Sequence, residues 1–232
     1  MSRRMMGIIN GLALVLLMPV VAASQDPQTS QPTQASQPAE RSRTQGLKET
    51  ERFIKSGAAI TQKLATANTQ TQSTLDAYNA LVTQPSKDMK GDYKRLMKAK
   101  DAMDGKVADA RAKLGEMQKM GDAYFSGRAE SIKGIQDKDL QSRAQLRLQD
   151  NQKAFAGVLD GLQQAGAAVD PIRQQLDDQI TYLGSDLSPS GTASLKPNAE
   201  KLNQQGHEAF SKIDEAVKRA DLYFQSLKPT ES

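Results

Sequence analysis

The chain has 232 residues, enough for one or two domains, with 31 Lys and Arg against 27 Asp and Glu. It has no cysteine, no tryptophan, one histidine, and only five Phe and five Tyr. This excludes disulfides, thiolate metal sites and cysteine nucleophiles, and His207 alone leaves little material for imidazole chemistry. Ala, Gln, Lys, Asp and Leu dominate instead, which points to helices packed through small and aliphatic side chains.

The first segment reads as an address. Arg3 and Arg4 precede an apolar run from Met5 to Ala22, and Val21 and Ala23 suit the −3 and −1 positions of a cleavage site before Ser24. Residues 1–23 are therefore expected to be a signal peptide, with retention as an anchor the alternative. Its removal takes two of the 31 basic residues, and the remaining 29 against 27 acidic ones leave +2. Nucleic-acid binding then has no support in the charge balance. Residues 24–46, rich in Gln, Ser, Thr and Pro, bury too little to offset their ordering entropy and are expected to form a disordered linker.

From Leu47 to Leu227 the sequence is helical in pattern. The first helix carries a weak, polar seam at Leu47, Ile54, Gly57, Thr61, Leu64, Asn68, Thr71, Leu75, Tyr78 and Val82. Pro85 stops it, and Ser86 is positioned to cap the next helix. The second helix keeps an unbroken four–three alternation: Met89, Tyr93, Leu96, Lys100, Met103, Val107, Ala110, Leu114, Met117, Gly121 and Tyr124. Lys100 sits on this seam, where its ammonium is expected to reach outward. The pattern fades at 134–139.

A third helix from about Lys138 has its seam at Leu148, Asn151, Phe155, Val158, Leu162, Ala165, Val169, Ile172, Leu176, Gln179 and Leu183, with a kink expected at Pro171. Residues 184–191 read as a loop. The last helix carries Leu195, Ala199, Leu202, Gly206, Ala209, Ile213, Ala216, Ala220, Tyr223 and Leu227. A repeat of about 3.5 residues sustained over many turns predicts helices wound around one another, and short connections predict antiparallel neighbours.

The expected fold is all-α: an elongated antiparallel four-helix coiled-coil bundle over 47–228. Outer helices of roughly 37 residues and inner ones of roughly 47 predict a central hairpin that projects as a tip. Glycines inside the helices each cost about 1 kcal/mol relative to alanine. Gly121 and Gly206 fall on seams, where they let backbones approach; those off the seams predict a bundle that bends and frays.

Nothing in this pattern carries reaction chemistry. The Glu-x-x-His pairs of a di-iron bundle are absent around His207, and "GLQQAG" (161–166) lacks the Lys and Ser/Thr of a phosphate loop. No catalytic, cofactor-binding or metal residue is assigned, and no cofactor is expected. The basic run Lys90, Lys94, Arg95, Lys98 and Lys100 reads as a solvated face balanced by Asp88, Asp92, Asp101 and Asp104, with contact to anionic lipid as the alternative. Tyr124, Phe125, Arg128 and Ile132, near the end of the expected hairpin, form the candidate partner-binding tip.

In the order of "YNAL" (78–81), "YKRLMKAKDAMDGKVADARAKLGEM" (93–117), "AYFSGRAESI" (123–132), "DDQITYLGSDLSPSGTASL" (177–195) and "IDEAVKRADLYF" (213–224), the chain resembles the bacterial envelope family called domain of unknown function 2959. The resemblance covers roughly Leu75 to Leu227 and implies an exported helical protein with no catalytic residue set. The chain departs from the family pattern at 51–62, at Ser126–Gly127, and in having no cysteine to acylate.

The function expected is a non-enzymatic scaffold or adaptor of the cell envelope, exported to the periplasm, that presents the tip to an unknown protein partner. The alternatives are a periplasmic holdase chaperone and an amphipathic binder of membrane surfaces. Self-association that completes the polar seam of the first helix is a further partner expectation.

Overall fold

The computed structural model describes residues 36–228, and side chains from Gln45 onward. Within them lie six helices and no strand: α1 (Ser36–Thr83), α2 (Met89–Lys133), α3 (Lys138–Ala167), α4 (Asp170–Ser185), α5 (Pro189–Ser194) and α6 (Lys196–Ser226). The expected leader at 1–23 and residues 24–35 of the expected linker lie outside the described residues. The rest of that linker, 36–46, is helical and forms the first turns of α1. Its sequence is polar but rich in helix formers, and elongating an existing helix is far easier than nucleating one. Pro38 falls in the first turn, where a missing N–H breaks no intrahelical bond.

The boundaries follow local chemistry. Asp88, rather than Ser86, caps α2: its carboxylate accepts from the Gly91 N–H at 2.9 Å, while the Ser86 hydroxyl accepts from the Asp88 N–H at 3.1 Å. Asp137 caps α3 by accepting from the N–H groups of Asp139 and Leu140. Gln141 reaches back to the last carbonyls of α2, at Ile132 and Lys133, and so ties the hairpin together. At Pro171 the kink is a full break. Proline has no N–H and its ring excludes the carbonyl four residues back, so α3 ends at Ala167 and α4 restarts at Asp170. The seam crosses that break in step, with Ala165, Val169 and Ile172 all buried.

Contacts across the helices give their directions. Thr74 donates to the Ala99 carbonyl at 3.0 Å, Lys63 pairs with Asp109 at 3.1 Å, and Phe53 stacks on Tyr124, so α1 and α2 are antiparallel. Asn79 and Asn203 exchange amide hydrogen bonds of 2.7 and 3.2 Å, and Asn68 donates to Asp214, so α1 and α6 are antiparallel too. Tyr93 donates to the Ile180 carbonyl, and Gln175 to Gln205, which set α4 against α2 and α6. The main packing partners of α1 are α2 and α6, and α3 packs on the same two. The result is an up-and-down bundle of four columns, α1, α2, α3–α4 and α6.

Burial follows the seams closely in α2, α4 and α6, but α1 buries a wider stripe than its sequence suggests. Besides the expected line, Phe53, Ile60, Ala67, Thr74 and Leu81 are buried, each seven residues from the next. A helix wedged between two neighbours needs about three buried positions per heptad rather than two. The buried hydroxyls of Thr50 and Thr71 donate to the carbonyl one turn back, which satisfies them without a partner helix, while Thr74 shares its proton between the Gln70 carbonyl of its own helix and the Ala99 carbonyl of α2. In the core the Tyr78 hydroxyl donates to the Gln179 side-chain carbonyl. Desolvation by burial holds the phenol's pKa well above its ordinary value.

The glycines divide by what stands opposite. A β-carbon at Gly57 would run into the Phe224 ring, one at Gly121 into the Phe155 ring, and one at Gly206 would lie 2.7 Å from Leu75. Gly105, Gly115, Gly157, Gly161 and Gly166 face open space.

Candidate functional site

One end of the bundle is closed by an aromatic cluster drawn from four helices. Phe53 lies at its centre, stacked on Tyr124 at 4.5 Å between ring centroids and set edge-on to Phe125, Phe155 and Phe224 at 5.1–5.8 Å. Tyr223 completes it against Phe155 and Phe224. Desolvation, with a smaller contribution from Tyr124, holds the Tyr223 phenol well above its ordinary pKa. The cluster corrects the expectation for two tip residues. Tyr124 and Phe125 are 7% and 5% exposed, their rings held in the core rather than projecting from the tip. Their burial requires Phe53, Phe155 and Phe224 from other helices at the same level, which no single-helix pattern reveals.

Above this cap the α2–α3 hairpin continues. The end of α6 is fixed by the Tyr223 hydroxyl, which donates to the Asn151 carbonyl at 3.4 Å. On the α1 side, Glu49 stands opposite Gly127 and the helix runs on to Ser36. The hairpin thus projects past α6 but not past α1, which at 48 residues is longer than expected.

Where α6 stops, a groove of about 370 Å³ opens between α2 and α3. Tyr124 and Phe125 lie at its base, Ile132, Ile135 and Leu148 give it apolar walls, and Arg128 and Arg147 line it with positive charge. Among the described residues no acidic side chain lines it. Tyr124, Arg128, Ser131 and Ile135 continue the four–three register of the α2 seam, so among the described residues the groove is core-facing surface beyond the end of the α6 column. Arg128 lies over the Tyr124 ring at 5.5 Å, a cation–π contact. Of the expected tip residues, Arg128 is exposed and Ile132 half-buried. Leu140 and Leu146, which sequence reasoning missed, are the most open apolar residues of the hairpin at 51% and 59% exposure. They fall off the seam, and that is why a seam reading passed them over.

A second polar feature lies midway along the bundle. Lys100 is buried, and its Nζ does not extend into water but is held by Asp104 at 2.7 Å and Asp177 at 2.6 Å. Asp104 also accepts from Arg173 at 2.7 Å; Arg173 touches Asp170 at 3.4 Å, and Asp170 pairs with Arg111 at 2.5 Å. This chain of charges straps α4 to α2 across the Ala168–Val169 break. Partial burial pushes the Asp104 pKa up, but hydrogen bonds and charge from Lys100 and Arg173 outweigh it and hold it below the usual carboxylate range. Elsewhere in the basic run, Lys90, Lys94, Arg95 and Lys98 are exposed, with Arg95 paired to Asp92. His207 is exposed. Among the described residues no three His, Cys, Asp or Glu side chains converge as a metal site, and no helix is long and apolar enough to cross a membrane.

A family model described as a protein of unknown function (DUF2959) matches residues 41–227. That span is most of the chain, which therefore belongs to this family. The match includes 51–62 and so reaches beyond the Leu75–Leu227 span that carries the resemblance in the sequence. No curated protein and no solved structure is significantly similar to the chain.

Proposed function

We propose that this member of the DUF2959 family is a non-enzymatic scaffold whose hairpin groove accepts an amphipathic helix of a partner protein. The observation that carries this reading is the core-facing surface beyond the end of the α6 column. The α2 and α3 seams run on past the end of α6, presenting apolar walls in the geometry that elsewhere receives a helix. Arg128 and Arg147, with no acidic side chain among the described lining residues, favour a partner helix flanked by Asp or Glu. The apolar leader read in residues 1–23 supports export and a periplasmic location.

A photoreactive amino acid at exposed Ser131, on the groove, tests the reading in living cells. One or two discrete adducts, lost when Arg128→Glu and Arg147→Glu are combined, are expected. An adduct of twice the chain's mass would replace the foreign partner with a second copy. A broad smear of nascent proteins would favour the holdase, which the open space around Gly157, Gly161 and Gly166 supports through a loosened α3. Adducts unchanged by the double charge reversal would sink the groove as the binding surface.

A further inference from the structure

Beside the break between α3 and α4 lies a cavity of about 310 Å³, separate from the hairpin groove. Its wall draws on all four columns, with Leu64 from α1, Val107 from α2, Leu162 from α3 and Ile213 from α6. The void exists because small residues meet at this level, Ala67 on α1 and Ala110 on α2 with Gly166 on α3. Only Arg111, Gln163 and Asp170 among the lining residues are polar, and Arg111 and Asp170 form an ion pair with both side chains about half exposed.

Such a space suits an apolar guest. Ordered water needs two to four polar partners, which these walls offer only at the exposed rim where Arg111, Gln163 and Asp170 stand, whereas an engineered cavity of about 150 Å³ stays dry and binds benzene. The volume lies at the low end of ligand pockets, roughly 300–1,000 Å³. That is room for one aliphatic chain and too little for the two chains of a phospholipid. The ion pair beside it supplies the polar end. An Arg–carboxylate pair so exposed to water contributes little to stability, so a second carboxylate can take the place of the Asp170 carboxylate on Arg111. Asp170 then keeps Arg173 at 3.4 Å, itself anchored by Asp104.

We propose that the cavity binds a single-chain fatty carboxylate, with its tail among Leu64, Leu162 and Ile213 and its headgroup on the Arg111 guanidinium. A planar guanidinium fits a carboxylate through two parallel hydrogen bonds, and an alcohol offers no such match.

The test is titration of the full chain with decanoate below its micellar concentration, read by methyl NMR and calorimetry, with 1-decanol and acetate in parallel. Saturable shifts of the Leu162 and Ile213 methyls are expected with decanoate and none with acetate. Arg111→Gln should weaken decanoate by about tenfold or more, the loss of a charge-assisted contact, and leave 1-decanol unchanged. Ala110→Leu, which fills the void, should abolish binding of both. A lower melting temperature in that variant would leave the methyl shifts in wild type as the deciding measurement. Shifts confined to exposed Leu140 and Leu146 would mean surface adsorption and overturn the proposal. So would decanoate affinity that is equal in wild type and Arg111→Gln.

Discussion

Gly121→Ala sets two known effects against each other. In an exposed helix interior, replacing glycine by alanine gains about 1 kcal/mol. At Gly121 the added methyl would enter the space held by the Phe155 ring. That ring has little freedom to retreat, because it lies within 5.1–6.1 Å of Phe53, Phe125 and Tyr223. Overpacking a core by one carbon costs about 1–3 kcal/mol, and each aromatic pair loosened forfeits about 0.5–1.5 kcal/mol more. The clash outweighs the helix gain, and the variant should lose roughly 1–3 kcal/mol.

Gly157→Ala, on α3 with open space around it, is the matched control and should gain roughly 0.5–1 kcal/mol. At about 2–4 °C per kcal/mol for a chain of this size, the two melting temperatures should stand roughly 5–15 °C apart on opposite sides of wild type. Thermal melts followed by helical circular dichroism measure this directly. If Gly121→Ala melts above wild type as Gly157→Ala does, Phe155 does not pack on Gly121 and the placement of the aromatic cap is wrong.

Three further outcomes concern polar groups of the core and of the charge strap. Tyr78→Phe strands the Gln179 side chain and should cost about 1–3 kcal/mol, with much of it regained when Gln179→Leu is added. The raised phenol pKa values of Tyr78 and Tyr223 mean that stability is unaffected by these groups below the ordinary phenol pKa near 10 and falls as pH climbs above it. Alkaline unfolding should therefore coincide with the part of the tyrosinate absorbance that Tyr78→Phe and Tyr223→Phe remove. Asp104 has the opposite sign. Its depressed pKa contributes stability above the ordinary carboxylate value near 4, and that contribution vanishes as pH falls through the folded pKa. Urea midpoints between pH 6 and pH 3 should fall less steeply in Asp104→Asn than in wild type; equal slopes would remove Asp104 from the acid response.

Periodicity made the bundle legible where a helix has one dominant seam. In α2 and α6 the buried residues are almost entirely those on the four–three line, and even the break at Pro171 leaves the register of α3–α4 intact. In α1 the same reading captured one stripe and missed Phe53, Ile60 and Leu81. The signal was present, since positions 53, 60, 67, 74 and 81 recur every seven residues, but its alanine and threonine members dilute it. Lys100 shows a different limit. A lysine on a seam reads as a side chain bound for water, and only the folded chain shows Asp177 arriving from α4 to hold it in place.

The tip and the cavity trace to one property of this sequence, its reliance on very small residues at packing positions. Size alone cannot tell whether a small residue is filled or empty, because the answer depends on what stands at the same level of another helix. Gly57 meets Phe224, Gly121 meets Phe155 and Gly206 meets Leu75, so small faces large and the backbones close up. The first two of those pairs place Phe224 and Phe155 at one end, where they pack with Phe53 and bury Tyr124 and Phe125 in the cap. Midway along the bundle, Ala67 and Ala110 share a level with Gly166, small faces small, and space remains. A chain with this few aromatics cannot fill every level. The pairing that spends them on the cap beneath the hairpin is the same pairing that leaves the middle of the bundle open to a guest.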